Sequence, residues 1–270
     1  MDVQTIQEAL HAAGTYAGKI DGIAGPRTRA AIDAALEARS ESLPKGWKRW
    51  GARRRQNAYA QLMIGDLDIE VGPIDGLIGP QTRHAIEVFL HVQRTGRKPE
   101  PWRDHVPDDE VPPPVRNDWP RQRDVQRFFG NPGGNQTRIE LPYSMKIAWN
   151  TRQRVTGFSC HEKVHDSMKR VLNRVLDHYG DAEIRRLRLD MFGGCLNVRR
   201  MRGGTRWSMH AWGIAVDIDP ARNQLKWGRE RASLAKPDYE PWWRLWEEEG
   251  WLSLGRARNF DWMHVQAARL

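Results

Sequence analysis

Ser208 to Asp217 reads SMHAWGIAVD, and the chain continues with Ile218 and Asp219. From Ile214 onward the residues alternate as a strand does, with Ile214, Val216 and Ile218 on one face and Asp217 and Asp219 on the other. A carboxylate on a buried strand face needs a compensating charge. Gly213 stands between His210 and this strand, where a backbone turn open to glycine would bring His210 and Asp217 to one point. Further along, Asp261 to Gln266 reads DWMHVQ. A catalytic zinc takes three nitrogen or oxygen ligands and leaves a position for water. His210, Asp217 and His264 fit that count. Asp261, three positions before His264, would lie close to the metal without binding it, able to pass a proton from water to a leaving amine.

These two stretches together resemble the zinc peptidoglycan peptidases of the VanY and VanX type, which include D-alanyl-D-alanine carboxypeptidases and L-alanyl-D-glutamate endopeptidases of phages. The pattern is SxHxxGxAxD followed downstream by an acidic residue and a histidine three positions later. Here it falls on Ser208, His210, Gly213, Ala215, Asp217, Asp261 and His264. The resemblance implies His210, Asp217 and His264 as zinc ligands and Asp261 as the base. It also implies an oxyanion-stabilising arginine ahead of the first ligand. Arg199 in NVRRMRGG holds that place, with Arg200 and Arg202 as alternatives. Ser208 is expected to hydrogen-bond substrate or orient His210, and Trp262 to form a wall of the site or part of the core. Asp219 reads as structural.

A rival metal motif lies upstream. His161 to His165 reads HEKVH, the HExxH pattern in which two histidines one helical turn apart bind zinc and the glutamate acts as base. Val164, Met168, Val171, Leu172, Val175, Leu176 and Tyr179 continue it as an apolar helical stripe. Lys163 puts a positive charge into the motif, and Met168 stands where a metzincin has glycine. The two histidines read as helix-boundary residues near the core, and a zincin-type protease using His161 and His165 stays open as the alternative.

The N-terminal third is a repeat. Lys19 to Ile32 reads KIDGIAGPRTRAAI and Pro73 to Ile86 reads PIDGLIGPQTRHAI, displaced by 54 positions. Asp and Gly make a tight turn, and Pro26 or Pro80 then suits the first position of a helix. Helical patterns precede each turn, over Val3 to Ala13 and Gln56 to Ile64. The DGxxGPxT core resembles the small helical peptidoglycan-binding repeat, which implies a wall-binding region over residues 1–96. Residues 97–119, rich in proline and charge, read as an extended linker. Residues 120–270 read as an α+β peptidase domain with a small antiparallel sheet. Its expected elements are strands at Leu141 to Trp149 and Leu187 to Met191, a main helix at His161 to Tyr179 and a second at Pro241 to Gly250.

Composition sets the surroundings. The formal net charge of +9 on 270 residues favours polyanions. No nucleic-acid-binding signature accompanies it, so anionic wall polymers are the better match and nucleic acid is not expected as a partner. Several of the 13 tryptophans crowd into PWWRLWEEEGW, expected as a helix packing on the catalytic sheet. Cys160 and Cys195 read as reduced, buried thiols. The start, MDVQTIQEALHAAG, lacks the pattern of a signal peptide. The expected protein is thus a monomeric, endolysin-like zinc peptidase of the cell wall, without stable membrane insertion, made in a host cytoplasm and delivered by a holin-like protein. A non-catalytic wall-binding protein and a nucleic-acid binder are the competing classes. The cleaved bond is open among L-alanyl-D-glutamate, D-alanyl-diaminopimelate and terminal D-alanyl-D-alanine.

Overall fold

The computed structural model describes residues 1–105 and 119–270, so most of the expected linker lies outside the described residues. The chain divides into two compact units, Met1–Glu100 and Pro101–Leu270.

The first unit holds four helices, α1 (Val3–Ala12), α2 (Pro26–Glu37), α3 (Ala52–Gly65) and α4 (Pro80–Thr95). Asp2 caps α1 through its carboxylate, which accepts from the Thr5 amide at 2.9 Å. Pro26 and Pro80 open α2 and α4 as their first residues. Ile6, Leu10, Ile32 and Leu36 pack with Ala58, Tyr59 and Leu62 in one core, while Ile64, Val71, Ala85 and Phe89 form a smaller second one. A buried glutamine ties each repeat together. Gln7 Oε1 accepts from the amides of Asp21 (3.0 Å) and Gly22 (2.8 Å), and its Nε2 donates to Asp21 Oδ1 (2.9 Å) and Thr28 Oγ1 (3.1 Å). Gln61 repeats this in the second copy, accepting from Gly76 N (2.7 Å) and donating to Leu77 O (3.1 Å) and Thr82 Oγ1 (3.1 Å). The glutamine amide thus satisfies both sides of the Asp-Gly turn that the repeat pattern exposed.

The second unit contains α5 (Val125–Phe129), β1 (Gln136–Ile147), β2 (Asn150–His161), α6 (Glu162–Leu187), β3 (Met191–Gly194), β4 (Ala215–Ile218), α7 (Glu240–Glu248), β5 (Leu252–Ser253), α8 (Leu254–Arg258) and β6 (His264–Gln266). Six strands form one sheet in the order β2-β1-β3-β4-β6-β5. The expected antiparallel sheet is corrected to a mixed one, because β1 and β3 pair in parallel through Lys146 with Met191 and Ile147 with Phe192. The reason lies in the connection: β2 and the long α6 intervene, and a crossover of that length permits parallel pairing where a hairpin does not. The expected main helix extends beyond Tyr179 to Leu187, with a break at Gly180 (φ 64°, ψ 166°). α6 packs on β1, and α7 packs on α6 and β5.

Four tryptophans around α7, Trp242, Trp243, Trp246 and Trp251, are fully buried. Trp246 and Trp251 meet edge-on at 4.8 Å between ring centroids. Such a pair contributes about 0.5–1.5 kcal/mol beyond the area it buries. The tryptophan run is therefore core, as its helical spacing suggested. Residues 101–105, expected in the linker, pack inside this unit: Arg103 N donates to Gly203 O at 2.8 Å, and Asp104 accepts from Thr205 Oγ1 at 2.6 Å.

Candidate active site

Three elements converge on one point of the sheet. β4 carries Asp217, and β6 pairs with it so that Asp217 faces His264 directly. Cross-strand neighbours in an antiparallel pair hold their Cβ atoms about 5 Å apart, close enough to share a ligand. His210 comes from the short 3-10 turn Met209–Trp212, whose entry Ser208 caps by accepting from His210 N at 3.4 Å. Gly213 closes the turn at φ 67°, and a Cβ there would lie 2.5 Å from Gln136 Oε1. The left-handed backbone favours glycine, and the His161 amide 3.1 Å from such a Cβ leaves little room for a side chain. Gly193 serves beside the carboxylate, where an added Cβ would stand 2.8 Å from Asp217 Cβ.

The ligand-type atoms of His210, Asp217 and His264 lie within 4.8 Å of one another, and all three residues are buried. His210 Nε2 is 3.1 Å from Asp217 Oδ1, His264 Nδ1 is 3.0 Å from the same oxygen, and the two ring nitrogens are 3.2 Å apart. Their outward nitrogens are engaged elsewhere. His210 Nδ1 meets Cys195 O at 2.7 Å, and His264 Nε2 meets Gln266 Oε1 at 3.1 Å. Gln266 Nε2 donates to Ala268 O, which leaves its oxygen as the acceptor. A carbonyl acceptor on each outer nitrogen assigns the proton there, so the inner nitrogens present lone pairs. Two such lone pairs and an ionised oxygen turned on one another repel unless a cation lies between them. This donor set of two imidazoles and one carboxylate suits zinc.

Electrostatics agree. Burial pushes His210 below its ordinary range, against the pull of Asp217, which favours the neutral imidazole that a metal needs. Burial raises the Asp217 carboxyl, but its contacts with His210 and His264 outweigh this and hold it well below the usual carboxylate range.

Around the cluster lies a narrow cleft lined by Arg103, Arg199, Arg202, Ser208, Asp261 and Gln266. Asp261 is 2% exposed and adopts φ 57°, a left-handed conformation that aspartate tolerates better than most residues. Its Oδ1 is buried with no hydrogen-bond partner among the described residues, while Oδ2 lies 3.4 Å from Arg103 Nη1. Arg199 and Arg202 are buried, and among the described residues the Nε of each has no partner. Arg202 Nη2 is 3.6 Å from Asp217 Oδ2. Burial, with Arg202 beside it, pushes Arg199 down to about 9. Arg200 is exposed and stacks on the Trp207 ring at 4.0 Å, which leaves Arg199 and Arg202 as the arginines of that run in the cleft.

Other expected positions fall elsewhere. Trp262 does not line the cleft: it is in the core, covering Gly255 and standing edge-on to Trp243 at 6.3 Å. Of its two expected places, wall or core, Trp262 takes the core, because it belongs to the turn before β6. Asp219 is held by Arg188 at 2.9 Å and by Arg222, a structural cluster. Among the described residues the HEKVH histidines join no group of three or more metal-binding side chains. His161 precedes α6 and caps it, its Nδ1 accepting from Lys163 N at 3.1 Å and its Nε2 meeting Phe129 O at 2.8 Å. His165 pairs with Asp166 at 2.7 Å. Both cysteines are free and buried, and burial pushes the Cys160 thiol up to about 12. Arg103 was not foreseen at all. No motif surrounds it, and its place depends on a docking the sequence does not display.

In the first unit, a cavity of about 570 Å³ opens between the two repeats. Equivalent residues of both copies, Ile6 with Ala60 and Ile32 with Ile86, line it together with Arg29 and Arg53. No helix among the described residues is long and apolar enough to cross a membrane.

Comparison with known proteins found no match among curated proteins or solved structures. Two family models match. Residues 1–35, spanning the first repeat, match a peptidoglycan binding domain, and residues 202–267, spanning His210, Asp217, His264 and Asp261, match D-alanyl-D-alanine carboxypeptidase. The chain therefore carries a peptidoglycan-binding domain at its N-terminus and a peptidase domain of the D-alanyl-D-alanine carboxypeptidase family at its C-terminus.

Proposed function

We propose that this protein is an endolysin-like zinc peptidase that hydrolyses an amide bond of the peptidoglycan stem peptide or cross-link, held on its polymer by the N-terminal repeats. The observation that carries the reading is the convergence of two imidazole lone pairs and the Asp217 carboxylate on one buried point, with one oxygen of Asp261, Oδ1, left without a hydrogen-bond partner among the described residues in the same cleft. His210, Asp217 and His264 would hold the ion. A bound zinc supplies Lewis acidity, lowering the pKa of a water and polarising a carbonyl.

The remaining chemistry belongs to side chains. Asp261 Oδ1, free of other partners, accepts a proton from the attacking water and returns it to the leaving nitrogen. Arg199 and Arg202 present guanidinium groups where negative charge develops on the carbonyl oxygen, and in a buried cleft such donors act strongly. Ser208 fixes the turn that aims His210. The repeats raise the local concentration of the site at its polymer without touching the chemistry.

The test is digestion of defined muropeptides by the metal-loaded protein, with products read by mass spectrometry. Cleavage of one stem or cross-link amide, stopped by a chelator and restored by zinc, is the expected result. Binding to sacculi with no cleavage of any muropeptide would leave a non-catalytic wall-binding protein.

A further inference from the structure

Arg103 lies ahead of the region that matches the peptidase family, yet its side chain is in the cleft. A five-residue strap, residues 101–105, delivers it. Trp102 covers Gly203 so closely that a Cβ there would fall 2.2 Å from the indole Nε1, and it meets the Phe260 ring edge-on at 5.5 Å. Asp104 accepts from Thr205 N and Oγ1, and Arg103 N donates to Gly203 O. The strap is thereby clamped to the loop bearing Arg202 and to the loop bearing Asp261. Between those anchors the Arg103 side chain, 12% exposed, passes over the Phe260 ring and reaches Asp261.

The charges in the cleft do not balance. Arg103, Arg199 and Arg202 face Asp217 and Asp261. A divalent ion at the histidine cluster would add further positive charge, so a buried excess of cation awaits an anionic ligand group. Arg103 is the arginine best placed to take it. A guanidinium has five N–H donors in a fork that matches a carboxylate, and the 3.4 Å contact with Asp261 occupies one of them. Arg202 is drawn to Asp217, and Arg199 Nη1 donates to Arg200 O at 2.9 Å.

We propose that Arg103 is a substrate-binding residue, carried into the cleft by the 101–105 strap, that recognises a carboxylate of the peptide substrate. The proposal rests on the peptidase reading above and extends it to the chemical group that the substrate must carry.

The experiment uses the full chain. A stem pentapeptide and analogues in which each carboxylate in turn is a carboxamide are compared by steady-state kinetics, and by calorimetric binding to the metal-loaded protein. In the unaltered protein one carboxamide analogue should lose roughly tenfold or more in affinity and in kcat/KM, as expected for a charge-assisted pair. In Arg103→Ala the parent peptide should show the same loss, mainly in KM, while that analogue loses nothing further. Arg103→Lys should recover part of the affinity. Asp104→Ala, which releases the strap without touching the cleft, should show the same carboxylate-dependent loss in milder form. Equal losses for all peptides, a fall in kcat alone, or faster turnover in Arg103→Ala would overturn the assignment, the last by making the strap a plug. Selective binding without cleavage of any peptide would sink the peptidase reading and leave Arg103 standing. Cleavage by the unaltered protein with no response to Arg103→Ala would do the reverse.

Discussion

The two units place their polar groups at very different range. In the first unit the buried amide of Gln7 reaches Thr28 across 21 positions, and Gln61 reaches Thr82 across the same interval, so each repeat closes its network within itself. In the second, His210 and His264 meet across 54 positions and Arg103 meets Asp261 across 158. A short-range network survives duplication because everything it needs travels together. A long-range site exists only after the sheet has brought distant segments into register.

The largest effect should follow from breaking the long-range cluster. His210→Ala, Asp217→Ala and His264→Ala should each strip the metal and abolish cleavage, since two remaining ligands cannot close the shell. His165→Ala should leave both intact. Elemental analysis alongside muropeptide digestion reads the outcome, and retention of zinc by any of the three ligand variants would break the assignment. Next in size, Asp261→Asn should keep stoichiometric metal and lose roughly 10²-fold or more in turnover, the usual contribution of a general acid or base. Loss of the metal instead would make Asp261 a ligand.

The comparison is sharpened by its opposite half. Gln61→Leu leaves the buried Gly76 amide without its side-chain partner, at about 1–3 kcal/mol for such a group, while Gln7→Leu should cost less because the amides of Asp21 and Gly22 are exposed to water. The first unit should lose stability in denaturant unfolding, by about 1–3 kcal/mol for Gln61→Leu and less for Gln7→Leu, while peptidase activity on soluble muropeptides stays unchanged. A parallel fall in activity would show that the two units are not energetically separate. The smallest effect is expected from Arg53→Glu at the rim of the inter-repeat cavity, a few-fold loss of retention on sacculi through reversed charge. Unchanged retention would move the wall-binding surface elsewhere.

What could be read from sequence follows the same division. The cluster of His210, Asp217 and His264 was legible because spacing and residue type survive in one dimension, and Gly213 because its turn demands glycine whatever surrounds it. The repeat turns were legible, but Gln7 and Gln61, which hold them, were not, since a lone glutamine in a helical pattern carries no sign of burial. The parallel β1–β3 pair was missed because strand partnership is set by tertiary assembly. Trp262 could be read only as wall or core, because proximity along the chain says nothing of direction. Arg103 was hidden among prolines and charges that read as linker.

The Asp217–His264 register has a consequence for how the chain finds its native state. β6 spans three residues, and neighbouring side chains on a strand point to opposite faces. A slip of one position against β4 would turn His264 toward the apolar side and bring Val265 or Met263 opposite Asp217, leaving that carboxylate without its polar neighbour across the strands. A short strand offers few backbone bonds to forbid this error. A cation held by the three residues, as proposed above, would forbid it, because only the native alignment completes its shell. The metal would thereby act as a proofreader of strand alignment during folding, and the chemistry of the finished enzyme would begin as a check on its assembly.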